Sequence, residues 1–125
     1  MIIAVKPGVK LKLSINDVLL TVNKTDYNLK FQDCSLFLLP LLQKTEALDE
    51  LMVLQNDVVL TVVKKLIRFP FTIQMPYWCD LALDWLGSQH FKAMNSVLID
   101  LQTSWMTQPL KHKFQKVNNI LVRRQ

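Results

Sequence analysis

The side chains that most often do chemistry are scarce in this chain and badly spaced for it. His90 and His112 are its only histidines, and neither has a CxxC, HxxxH or HExxH neighbourhood, so surface positions explain both better than a metal site. Asp49 and Glu50 are neighbours on an expected first helical turn. Asp80 and Asp84 are one helical turn apart, as the helix dipole and solubility require, and neither pair has a nucleophile or cation beside it to make an acid/base dyad. Cys34 and Cys79 are far apart in apolar surroundings, which suits two reduced structural thiols rather than a disulfide or a metal pair. Gly8 and Gly87 are the only glycines, too few for a GxGxxG or GxxxxGK phosphate cradle. Trp78, Trp85, Phe91 and Trp105 follow helical steps, which favours packing over base stacking. The expectation is a protein that is not an enzyme and uses no cofactor or metal.

The whole chain has 125 residues, half of them apolar, which suits one domain with an appended helical segment and excludes disorder. No run approaches the ~18 apolar residues of a spanning helix. Lys6, Lys10 and Lys12 come too early for a signal-peptide core, so a soluble cytoplasmic protein that does not enter membranes is expected. The net charge of +5 is unevenly spread: six lysines face seven acids through Asp57, and nine Lys or Arg face only Asp80, Asp84 and Asp100 beyond it. From Lys111 onward there is no acid at all, which reads as a solvated basic tail.

Positioning elements follow from periodicity. Val9 to Ile15 alternates strictly and predicts a strand, Asn16-Asp17 a turn, Val18 to Val22 a second strand, Asn23 to Asp26 another turn, and Tyr27 to Phe31 a third strand. Asp33 or Ser35 then caps a short or kinked helix through Leu36 to Leu42, broken at Pro40. Thr45 offers an N-cap before Ala47 to Leu54, and Asn56 or Asp57 caps a third helix from Val58 to about Arg68, although its valines leave a strand open. The proline-framed stretch Phe69 to Pro76 reads as an edge strand or wing. Trp78 to Leu86 and Phe91 to Met106 step as helices, Pro109 ends the latter, and the basic segment closes the chain. The predicted fold is α+β: a winged helix-turn-helix with an N-terminal three-stranded antiparallel sheet, three helices and a C-terminal helical extension. Its parts are a winged-helix-like module over 1–76 and a basic helical extension over 77–125.

Leu39-Pro40-Leu41-Leu42-Gln43-Lys44-Thr45-Glu46-Ala47-Leu48-Asp49-Glu50-Leu51 resembles the LPLL-DG-T-x-T-LDEL stretch of precursor-peptide recognition elements from ribosomal peptide natural-product biosynthesis, domains similar to the pyrroloquinoline-quinone peptide chaperone. The likeness covers about residues 5 to 73, from Lys6-Pro7-Gly8-Val9 onward. Gln43-Lys44 stands where the pattern has Asp-Gly, Ala47 where it has Thr, and Arg68-Phe69-Pro70 where it has a glycine-containing turn. The resemblance implies a leader peptide that adds to the third strand and packs on the third helix. Residues 114–122 resemble the approach to the first strand of a fused adenylating domain, here without its glycine loop.

The leading expectation is therefore a non-catalytic peptide-binding module for a precursor or partner peptide, working beside a modifying enzyme. Main-chain bonds along Tyr27, Leu29, Lys30 and Phe31 would hold the peptide, Val59, Val62, Val63 and Leu66 would line its groove, and Lys30, Lys64 and Lys65 would attract its acids. The alternatives are a winged-helix nucleic-acid binder using the basic half, or a phage- or immunity-type protein that oligomerises through its Trp-bearing helices. Helix 3 argues against base readout, having no long polar side chain before Lys64.

Overall fold

The alternation that marks Val9 onward as a strand is half of a longer meander. A computed structural model describes residues 1–14, 17–31, 33–88 and 91–123. It has four antiparallel strands in the order β1 (Ile2–Lys6), β2 (Val9–Leu13), β3 (Val18–Val22) and β4 (Thr25–Asn28). Next come α1 (Ser35–Leu38), a 3-10 turn over Leu39–Gln43, α2 (Thr45–Val53), α3 (Asp57–Thr72), α4 (Pro76–Ser88), a second 3-10 turn over Lys92–Met94, and α5 (Gln108–Arg123). The α+β class is as expected. Two compact units, Met1–Leu66 and Ile67–Gln125, divide within α3.

In the first unit, Ile3, Val5, Val9, Leu11, Val18 and Leu20 are buried, while their neighbours Ile2, Ala4, Lys6, Lys10 and Lys12 are exposed, so the sheet has one packed and one open face. Leu38, Leu39, Leu41, Leu42, Leu48 and Leu51 add to the core, each burial worth about 1.5–3 kcal/mol before the entropy of ordering. Pro40 acts as expected: α1 is one turn long and tightens into the 3-10 turn that holds the proline in its first turn. Asn56 caps α3, its Oδ1 accepting from the N–H groups of Val58 and Val59 at 2.9 and 3.2 Å. Thr45, by contrast, is the first residue of α2 and makes no cap; Lys44 precedes it.

Several expectations are corrected. The sheet has four strands rather than three: β1 escapes notice because Ile2 and Ile3 are both apolar although only Ile3 is buried. Its hairpin turns at Gly8, whose φ of +81° would strain another residue, and an added Cβ there would lie 2.6 Å from the Asn23 Oδ1. The last strand lies earlier than Tyr27 to Phe31. Asn23 and Lys24 both take positive φ, 48° and 75°, as a two-residue hairpin turn requires, so the strand resumes at Thr25. It ends at Asn28, whose side-chain oxygen accepts from the Lys30 N–H at 2.9 Å and whose carbonyl accepts from the Phe31 N–H at 3.1 Å. Ile15 and Asn16 lie outside the described residues, and with them part of the expected turn.

The wing is absent. α3 continues through Pro70 to Thr72, and Gln74 follows in the left-handed region (φ 57°) with the Met75 N–H returning to the Pro70 carbonyl at 3.0 Å, a Schellman-type stop. Pro76 then opens α4, where its missing N–H is harmless. Val58 to Val63 are helical, their propensity overridden by an apolar stripe that buries Val59, Val62, Val63 and Leu66.

In the second unit the expected helix from Phe91 to Met106 is replaced by the short 3-10 turn and a run of turns, with Asp100 at φ 65°. Arg68 holds this run, its Nη1 donating to the Val97 and Ile99 carbonyls at 2.7 and 2.8 Å. Pro109 starts a helix instead of ending one, and the basic segment is no tail: α5 buries Leu110, Phe114, Val117 and Leu121. Residues 114–122 are accordingly helical, not the approach to a strand. Phe71 and Phe114 meet edge to face at 5.7 Å, and Trp85 stacks on Phe91 at 6.3 Å. Lys113 bridges Asp80 (2.7 Å) and Asp84 (2.5 Å) one turn apart on α4. Asn95 is 5 % exposed, and neither its Oδ1 nor its Nδ2 has a hydrogen-bond partner.

Candidate functional site

The residues expected to bind a peptide separate into an exposed set and a buried set. Leu29 donates its N–H to the Val18 carbonyl at 2.9 Å, extending the β3–β4 ladder by one residue. Antiparallel alternation then makes Leu20–Tyr27 and Val22–Thr25 the hydrogen-bonded pairs and turns the main-chain groups of Asp26 and Asn28 outward. β4 is an edge strand. The Asn28 carbonyl and the Lys30 N–H are already engaged in the local turn, so the edge offers three free groups: the Asp26 N–H and C=O and the Asn28 N–H.

Beside this edge Phe31 is 77 % exposed, with the Lys30 ammonium 5.8 Å from its ring centre. Tyr27 is half-buried, and Lys65 is exposed on α3. Val59, Val62, Val63 and Leu66, expected to line a groove, are core residues between 1 % and 6 % exposed. Leu29, Leu38 and Val62, with Asp33, Cys34, Ser35 and Lys65, leave a dimple of about 10 Å³, scarcely room for a water. A ligand at this place meets a strand edge and a single exposed ring, not a cleft.

Local chemistry is structural. Asp33 Oδ1 accepts from both the N–H and the Oγ of Ser35 at 3.2 and 2.6 Å, securing the start of α1. Burial and the neighbouring Asp33 push the Cys34 thiol up, and burial followed by Asp80 pushes the Cys79 thiol up to about 12, so neither is an activated nucleophile. Among the described residues no group of three His, Cys, Asp or Glu is arranged to hold a metal ion, and no helix is long and apolar enough to cross a membrane. His112 is exposed, and His90 lies outside the described residues.

The open face carries Lys10 and Lys12, as the alternation along β2 requires, and the unforeseen strand β1 adds the exposed Lys6 at its hairpin end. Lys44 reaches the other edge, its Nζ donating to the outward Ala4 carbonyl at 3.1 Å, a long-range contact that no local pattern announces. No family model, curated protein or solved structure matches the chain.

Proposed function

We propose that this protein is a non-catalytic binding module that captures an extended segment of a leader or partner peptide by strand addition at β4. The observation that carries the reading is the open β4 edge beside an almost fully exposed Phe31. Main-chain pairing to Asp26 and Asn28 would set the peptide's direction, and Phe31 would anchor one apolar side chain. Lys30 and Lys65, both exposed, would draw in an acidic segment and speed encounter without adding much affinity. The buried state of Val59, Val62, Val63 and Leu66 removes the groove from this scheme and shifts recognition to the edge itself. The winged-helix nucleic-acid alternative loses the wing expected over Phe69 to Pro76, because residues 69–72 belong to α3.

The test is to pan a peptide display library on the isotope-labelled chain and map the selected peptides by amide shifts and exchange. Binders should slow exchange at the Asp26 and Asn28 amides, and Phe31→Ser should weaken them by about tenfold or more. Peptides that bind but leave both amides unchanged would refute strand addition at this edge.

A further inference from the structure

The open face of the sheet is a second surface, independent of the β4 edge. Strand register places Ile2, Lys12, Leu19 and Asn28 in one row across it, and Ala4, Lys10, Thr21 and Asp26 in the next. Beyond Ala4 the β1–β2 register shifts and pairs Lys6 with Val9, and Lys6, Lys10 and Lys12 are all exposed. Asp17, just before β3 on this face, accepts from the Asn28 Nδ2 at 3.2 Å. The one acid in the two rows, Asp26, lies on the opposite edge strand and accepts from the Thr21 hydroxyl at 2.6 Å. Lys44, fixed on the Ala4 carbonyl, adds a fourth cation at the β1 rim.

The β1–β2 half of the face is therefore a lysine field that also carries the exposed Ile2. The geometry points to an acidic protein segment in extended conformation, with an acid at every second position, as the partner of this face. Side chains on one face of an extended chain repeat about every 7 Å, which is also the separation of Lys10 and Lys12 along β2. Nucleic acid fits less well: the face has no aromatic ring to stack a base and no arginine to grip a phosphate with two hydrogen bonds.

Fluorescence anisotropy at low salt tests this with a short labelled peptide of alternating Glu and Leu, its Gln/Leu analogue, and a DNA duplex and a single-stranded oligothymidylate of similar length. The Glu/Leu peptide should bind the full chain, and the double variant Lys10→Glu/Lys12→Glu should weaken it by about tenfold or more. The charge-matched Lys111→Glu/Lys116→Glu variant on α5 should leave binding within about twofold, and the Gln/Leu peptide should lose it. Equal weakening by the two double variants would overturn the assignment, since net charge alone would then govern binding. So would absence of binding, or tighter binding of either DNA that is lost in Lys10→Glu/Lys12→Glu. If that variant melts early, Lys10→Gln/Lys12→Gln serves in its place.

Discussion

Replacing Arg68 with Met would keep the aliphatic stem and remove both hydrogen bonds to the 97–99 run. A hydrogen bond from a charged donor to a partly buried carbonyl is worth about 1.5–2 kcal/mol, and one to an exposed carbonyl about 0.5–1. The acceptor on Val97 belongs to the first case and that on Ile99 to the second, giving about 2–3 kcal/mol in total. The turns here rest on few main-chain bonds of their own, Val97 N–H to Met94 and Ile99 N–H to Ser96 at 3.1 and 3.2 Å. The loss should therefore be local. Native-state hydrogen exchange at the Val97 and Ile99 amides should accelerate by about 30- to 150-fold, whereas amides within β2 and β3 should hold. Unchanged protection at Val97 and Ile99 in a folded Arg68→Met protein would mean that the guanidinium does not fasten this run.

Asn95→Leu removes a buried amide without partners and keeps its branching, so urea unfolding should show a gain of about 1–3 kcal/mol less any strain from the larger methyl groups. Gly8→Ala meets both a left-handed φ and Asn23, and should destabilise the sheet by about 1–3 kcal/mol in the same assay. Under native conditions at mildly alkaline pH, iodoacetamide should leave Cys79 unmodified, its thiol being pushed up to about 12, and denaturant should expose it. Partial burial pulls the Lys113 ammonium down, but hydrogen bonds to Asp80 and Asp84 outweigh it and raise the group above ordinary lysine. Its stabilisation is thus complete below the usual lysine value of 10.5 and is lost as pH rises through the raised one. Lys113→Met should cost only about 0.5–1 kcal/mol, less in high salt, because all three side chains are partly exposed.

What the sequence discloses here is what depends on nearest neighbours. β2 and β3 follow from alternation, the α3 start from Asn56, and the α1 kink from Pro40, since each rests on contacts within a few residues. Proline misleads at both ends of the second unit. Pro70 and Pro109 look like breaks, yet the core stripe carries α3 past the first and the second sits in the opening turn of α5, where it is favoured. The 91–106 stretch has helical spacing, but Arg68 rewards a different backbone by binding carbonyls that a helix would have occupied internally. The candidate site divides along the same line. Phe31 and Lys30 could be named from the sequence, whereas the burial of Val59, Val62, Val63 and Leu66 depends on which surfaces meet in three dimensions.

The local turn that occupies the Asn28 carbonyl and the Lys30 N–H bears on residence time. Three main-chain hydrogen bonds, each worth about 1 kcal/mol net, cannot hold a strand against the loss of its freedom. A segment docked on β4 would leave quickly unless its side chains find Phe31 or another anchor, so its lifetime would be set by sequence and not by backbone. The Lys44 ammonium has the same effect on β1, where it occupies the Ala4 carbonyl and interrupts the row of groups that a second sheet would need. Both exposed edges of the sheet thus carry a main-chain group already taken, which works against edge-to-edge pairing between copies.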